Sequence, residues 1–173
     1  MKQLRGTPLK RFLRTLPPPP SPTELAIVCQ SVGYPVNVGS IFRIADALNA
    51  AEVLLTGITP TPPNPTITKV ARDKEQRVPW RYVAQPEDAL RDLRDRGFWL
   101  AALEITEEAR PYYSVEYPGR VALVLGNEDH GVTRSCLSLC HAAVYVPMYG
   151  KGRSLNVHVS LAVVGYYLLH RGA

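Results

Sequence analysis

The chain has 173 residues, of which 46% are apolar and 20% charged, with a formal net charge of +5. That length suits one domain with a core of its own rather than two, and no apolar run approaches the ~20 residues that span a bilayer. Prolines follow the basic amino terminus where a signal peptide would be apolar, and Cys29, Cys136 and Cys140 are too few and too odd in number for a disulfide framework, so a cytoplasmic protein in a reducing compartment is expected.

Lys2, Arg5, Lys10, Arg11 and Arg14 all precede the first acid, Glu24, and account for the whole net charge. The chain therefore divides into a basic arm with a proline-rich linker over 1–22, ending in "LPPPPSP", and a charge-balanced domain over 23–173. The linker favours stiff polyproline II geometry, and an arm of this charge suits contact with a polyanion or serves as a disordered solubilising tail.

"ELAIVCQ" (24–30) and "AEVLLTG" (51–57) read as buried strands. Between them Ile41, Ile44, Ala45 and Leu48 recur at helical spacing, which leaves Arg43, Asp46 and Asn49 on the other sides, with Asp46 a surface partner for Arg43 or a nearby base. The four prolines of "TGITPTPPNPTI" (56–67) predict irregular structure. "WRYVA" (80–84), a helix from about Pro86 to Gly97, and "FWLAALE" (98–104) repeat the strand–helix alternation. "VALVLG" (121–126), a short helix over Thr133 to Leu139, and "AAVYVP" (142–147) continue it. The closing run from Leu155 to His170 is too long for a strand and predicts a helix buried all round, capped by Ser154. This alternation predicts an α/β fold, a mostly parallel sheet with helices on both faces.

Ligands in such sheets gather outside the carboxyl ends of the strands. Three polar, glycine-bearing loops leave those ends: "VGYPVNVGS" (32–40), "GNEDHG" (126–131) and "PMYGKGRSLN" (147–156). Neither a dinucleotide fingerprint nor a phosphate loop is present, and "GKGRS" imitates only part of the latter. Cys136 and Cys140 near His141 fall short of a zinc ligand set, and His158 within the apolar run reads as a core histidine with a satisfied ring.

"NVGSIFRIADAL" (37–48), "LVLGNEDHGV" (123–132) and "VPMYGKGRSLNVHVSLAV" (146–163) resemble, in order and spacing, the three motifs of the SpoU (TrmH-like) branch of the SPOUT RNA methyltransferases. The resemblance extends over residues 24–170. It implies a parallel α/β sheet whose carboxyl-terminal part forms a deep trefoil knot holding S-adenosyl-L-methionine, a homodimer, and methyl transfer to a ribose 2'-hydroxyl of structured RNA without a metal. Transfer RNA is favoured over ribosomal RNA because only a short arm stands where many ribosomal-RNA relatives carry a separate domain.

By the same resemblance, Leu103, Gly126, Val146, Met148 and Leu155 hold the cofactor, the glycine letting it approach the main chain. Arg43 is assigned to the reacting hydroxyl, with Asn37 and Glu128 orienting it and Ser154 and Asn156 binding substrate or fixing the third loop. A guanidinium, with a pKa above ~12, is a donor rather than a base, which favours stabilisation of the developing alkoxide and grip on the neighbouring phosphate. Lys151, Arg153, Arg5, Lys10, Arg11 and Arg14 are the expected RNA contacts. Two other readings compete: a catalytically silent RNA-binding or assembly module of the same fold, and a nucleotide hydrolase using Glu128 or Asp129.

Overall fold

Side chains of a strand alternate between the two faces of its sheet, and the first core strand uses both. In the computed structural model, which describes residues 3–171, β1 (Glu24–Gln30) sends Leu25, Ile27 and Cys29 into one apolar cluster and Ala26 and Val28 into another, all of them buried. A strand apolar on both faces needs cover on both, which is the condition for a parallel sheet. The other strands are β2 (Glu52–Thr56), β3 (Trp80–Val83), β4 (Trp99–Leu103), β5 (Arg110–Pro111), β6 (Arg120–Leu125) and β7 (Ala142–Tyr145). They form one seven-stranded sheet in the order β3-β2-β1-β6-β4-β7-β5, with parallel pairing between all neighbours.

The helices divide between the two faces. On one, α2 (Pro35–Ala47) buries Val38, Ile41, Phe42 and Ala45, α3 (Pro65–Ala71) buries Ile67 and Ala71, and α6 (Val157–His170) buries Leu161, Val164 and Leu168. On the other, α4 (Pro86–Asp95) buries Ala89, Leu90 and Leu93, and α5 (Arg134–Leu137) buries Cys136. Gly97, just past α4, adopts a φ of +82°, the left-handed conformation that a helix end favours.

Several expectations are corrected. The segment 56–67 is irregular only as far as Asn64, whose side chain accepts hydrogen bonds from the Thr66 and Ile67 N–H groups and so caps α3. Pro65 stands in the first turn, where a missing N–H costs nothing. The last helix starts at Val157 rather than beside Ser154, and its first flanking residue, Asn156, makes no side-chain cap. Nor is it buried all round, since Val159 and Tyr166 are exposed. Of the two partners expected for Asp46, the structure has the nearby base, Lys74, at 3.6 Å. β5 is too short to leave a pattern in the sequence.

The arm carries a helix, α1 (Gly6–Arg14), with none of its residues buried. Leu9, Phe12, Leu13 and Leu16 recur at i, i+3, i+4 and i+7 and remain exposed. Arg5, Lys10, Arg11 and Arg14 are exposed as well, and Lys2 lies outside the described residues. The linker is tied down at its far end, where Ser21 N–H donates to Leu169 O (3.1 Å) and Thr23 Oγ1 to Leu168 O (3.2 Å).

Gly39 brings α2 against α3. A Cβ there would stand 2.7 Å from Val70 Cβ and 2.9 Å from the Ile67 carbonyl oxygen, and a carbonyl fixed in a helix cannot move aside. Helix propensity alone favours Gly39→Ala by about 1 kcal/mol. We expect the opposite sign, a loss of about 1–3 kcal/mol in chemical denaturation, because the overpacked contact outweighs propensity.

Candidate functional site

The start of α2 lacks a local cap. Tyr34 flanks it with no side-chain cap, and Pro35 has no N–H to offer. Glu128, from the loop after β6, fills that need from a distance. Gly33 N–H donates to its Oε2 (2.8 Å), Tyr34 N–H to its Oε1 (3.2 Å), and Asn37 Nδ2 to the same Oε1 (2.6 Å). A carboxylate at a helix amino terminus also gains from the helix dipole. On its far side Asn37 Oδ1 lies 3.0 Å from His158 Nδ1 on α6, so this half-buried histidine, expected in the core, has one ring nitrogen bonded, by a residue of the first motif.

The loop carrying Glu128 folds back on itself. Asn127 and Gly131 exchange backbone hydrogen bonds of 3.1 and 2.8 Å, and Gly131 takes a φ of +67°. The Asn127 side chain donates to Ser31 O (2.8 Å) and accepts from the Asp129 and His130 N–H groups. A Cβ on Gly126 would run into the backbone of Gly131 and Val132. The close return of its own chain is thus a physical reason for glycine at 126, beside the approach of a ligand that the resemblance implies.

Glu104, at the carboxyl end of β4, accepts from Ile105 N–H and Val132 N–H, both at 2.9 Å, and pins the return of that loop to the neighbouring strand. Sequence reasoning passed over it. Its one signal was an acid directly at the end of an apolar strand.

The carboxyl ends of β4, β6 and β7, together with the start of α6, enclose a cavity of about 620 Å³. Small-molecule sites commonly fall in the range of roughly 300–1,000 Å³. Leu103, Gly126, Val146, Met148 and Leu155 line it, as do Glu128, Arg153, Ser154 and Asn156. Glu104 and Ser160 join them. Apolar side chains suited to a flat ring stand beside carboxylates suited to hydroxyl or cationic groups, and this mixture fits S-adenosylmethionine.

Not every expected residue reaches the wall. Asn37 is connected to it only through Glu128. Arg43 is exposed on α2, Lys151 is exposed in the third loop, and Arg5, Lys10, Arg11 and Arg14 belong to the separate arm helix or its flank; none lines the cavity.

The cysteines have a structural setting. Burial pushes the Cys29 thiol far up, helped by the negative charge of Glu128. Burial also raises Cys136 and takes Cys140 up to about 12. His141 Nδ1 accepts from Leu100 N–H (2.9 Å) and its ring stacks on Trp99, which directs it to the sheet. Among the described residues no group of three or more His, Cys, Asp or Glu side chains could hold a metal ion, and no helix is long and apolar enough to cross a membrane.

Comparison with known proteins gives a consistent family. The sequence model of the SpoU rRNA Methylase family matches residues 24–166. A tRNA (guanosine(18)-2'-O)-methyltransferase of Thermus thermophilus is 32% identical over 141 residues, covering 82% of this chain and 72% of the relative. A 23S rRNA (guanosine-2'-O-)-methyltransferase of Neisseria meningitidis is 31% identical over 156 residues, covering 90% of this chain but 60% of the relative. Among solved structures, the SpoU methyltransferase AviRb from Streptomyces viridochromogenes in complex with AdoMet superposes with a TM-score of 0.76 at 21% identity, over 86% of this chain and 60% of that one. An RNA 2'-O ribose methyltransferase gives the same TM-score, 0.76, at 28% identity, over 90% of this chain and 59% of that one.

The raised thiols make a prediction about alkaline pH. Above the ordinary cysteine value of about 8.5, an unfolded chain releases thiol protons that the fold retains, so the folded state binds more protons and stability falls as pH rises. Denaturation midpoints should be flat across this range up to about pH 8 as far as the thiols are concerned, and decline from there through the raised values. Native protein should also resist iodoacetamide at pH 8 and alkylate at all three cysteines once unfolded, as read by intact mass.

Proposed function

The chain belongs to the SpoU rRNA methylase family, and from that premise we propose that it methylates a ribose 2'-hydroxyl of structured RNA with S-adenosylmethionine as donor. The observation that carries this reading is the cavity at the ends of β4, β6 and β7, whose wall holds Leu103, Gly126, Val146, Met148 and Leu155 together with Glu128, Ser154 and Asn156. When bound, the cofactor supplies a methyl group on a sulfonium, already a good electrophile, so the protein's work is alignment and help with one proton.

Leu103, Val146, Met148 and Leu155 wall the adenine and methionine parts, and the backbone turn at Gly126 closes the floor. Asn37 and Glu128 hold the first and second motifs in one arrangement. Ser154 and Asn156 face substrate from the third. Arg43 stabilises the developing alkoxide and grips the adjacent phosphate, with the proton passing to substrate phosphate rather than to the guanidinium. Lys151 and Arg153 contact phosphate, and so do Arg5, Lys10, Arg11 and Arg14 on the arm.

Three further features belong to this reading. The segment from Val146 to Asn156 threads into a deep trefoil knot, supported by the wrapping of the cavity by that segment and by the earlier strand β4 lying between β6 and β7. The protein is a homodimer, supported by exposed Tyr34 and Val36 on the start of α2 and exposed Val159 and Tyr166 on the adjoining α6. Tyr167 has no part in that surface, because it packs against Tyr112 and Tyr117 and donates to Tyr113 O. Transfer RNA is favoured over ribosomal RNA as substrate, in keeping with the similarity of 82% of this chain to a tRNA (guanosine(18)-2'-O)-methyltransferase of Thermus thermophilus. A silent RNA-binding module would share the use of Asn37 and Glu128 in securing the head of α2, but would have no use for Ser154 and Asn156 in the wall of a cofactor cavity.

Incubation of RNA with the protein and methyl-tritiated cofactor tests the chemistry. Alkali cleaves RNA through the 2'-hydroxyl, so label on that oxygen must survive in an uncleaved dinucleotide. Label in alkali-released mononucleotides would place the methyl on a base, and no label at all would favour the silent module. Arg43→Ala should keep cofactor affinity by calorimetry while losing about 10²-fold or more in turnover, the scale for removing one donor to a developing oxyanion. Arg43→Lys should recover little, because a point charge does not reproduce the planar fork.

A further inference from the structure

His158 lies in the first turn of α6, between Val157 and Ser160 of the cavity wall, yet it does not line the cavity itself. Its Nδ1 meets Asn37 Oδ1 at 3.0 Å, and Asn37 Nδ2 meets Glu128 Oε1 at 2.6 Å. The protonation pattern of this chain follows from chemistry. A carboxylate only accepts hydrogen bonds, so the Asn37 amide must turn its NH₂ toward Glu128 and its oxygen toward α6. An amide oxygen also only accepts, so His158 must donate, and the donating atom is Nδ1. A histidine side chain in water prefers its proton on Nε2, and this bond requires the other tautomer.

Three segments are joined in this way. His158 belongs to the helix that closes the cavity, Asn37 to the helix whose start Glu128 caps, and Glu128 to the loop that forms part of the cavity wall. Without the histidine bond, Asn37 loses its restraint on the α6 side and the α6 end of the wall loses its polar tie to Glu128. Burial lowers the His158 pKa, which keeps the ring neutral and the tautomer meaningful at physiological pH.

We propose that His158 is a positioning residue of the methyl-transfer site, acting as the Nδ1-protonated tautomer through Asn37 to fix Glu128 against the cavity wall. The proposal rests on the methyltransferase reading for its kinetic consequence but not for its tautomer. It acts on the alignment of the site, so its loss should lower kcat more than it weakens cofactor binding.

The tautomer is read directly by a long-range ¹H–¹⁵N spectrum of the wild-type protein at pH 8. The expected pattern is a protonated Nδ1 and an unprotonated Nε2 for His158, changing toward the ordinary Nε2–H form in Asn37→Leu. An Nε2–H pattern in the wild type would overturn the proposal. In kinetics, His158→Leu, which an apolar helix accommodates, should lower kcat at least about tenfold, since small misplacements of reacting groups are costly, with cofactor Kd within about twofold. His158→Asn, whose amide N–H stands where Nδ1 does, retains a donor for Asn37 and should recover a substantial part of the loss. The double variant His158→Leu with Asn37→Leu should be no slower than Asn37→Leu alone, because the two act as one unit. Wild-type kcat in a folded His158→Leu, or full additivity in the double variant, would remove the positioning role. A wild-type protein without methyl transfer would sink the functional reading instead, leaving the spectrum to decide the tautomer.

Discussion

The carboxylate of Glu128 at the head of α2 is the constraint on which the site depends. It joins positions 95 residues apart in sequence and satisfies the Gly33 and Tyr34 N–H groups together with the Asn37 amide. Hydrogen bonds to a charged acceptor contribute about 1.5–3 kcal/mol each in favourable cases, and a donor left without a partner costs as much. The carboxylate therefore decides where the first loop lies relative to the second. Because Glu128 also forms part of the cavity wall, the same bonds that secure the head of α2 define one side of the space for a ligand.

The sheet makes such a clamp possible. β1, β6 and β4 are consecutive neighbours and run parallel, so the loops leaving them emerge side by side. Each loop is then secured to the next: Asn127 reaches back to Ser31 O, and Glu104 reaches across to Val132 N–H. Glu104 and Asn127 are held by backbone groups, and Glu128 by backbone groups together with the Asn37 side chain. A site built on the ends of buried strands inherits their rigidity, which is what in-line alignment of two reactants requires.

Most strands and the larger helices were legible because their signal is local. The run 24–30 coincides with β1 to the residue, and apolar character on both faces announced a sheet covered twice. α3 was missed because the Asn64–Pro65 start was read as a break, although both residue types suit a helix beginning. At Gly126 the folded loop adds a constraint that no one-dimensional pattern carries, the return of Gly131 and Val132 against it. The grouping of Asn37 with Glu128 came from family resemblance and not from spacing. Nothing in a one-dimensional pattern indicates a bond across the sheet. His158 illustrates the limit well: the sequence suggests a bonded histidine, but the partner that its Nδ1 meets lies 121 residues away.

The wall of the cavity is assembled from Leu103–Thr106, the turn at 126–132, the strand end at 144–148 and the stretch 153–160. During synthesis these pieces leave the ribosome in that order, and the last two emerge after the strands that flank them have been made. A nascent chain can pair β1, β2, β4 and β6 while still having no enclosed space for a small molecule. The pocket is thus complete only when α6 docks, so a chain stalled before residue 153 would present a nearly finished sheet to the cell's chaperones and proteases with no ligand able to stabilise it. For this fold, maturation of the binding site waits on the synthesis and docking of α6 rather than on formation of the sheet.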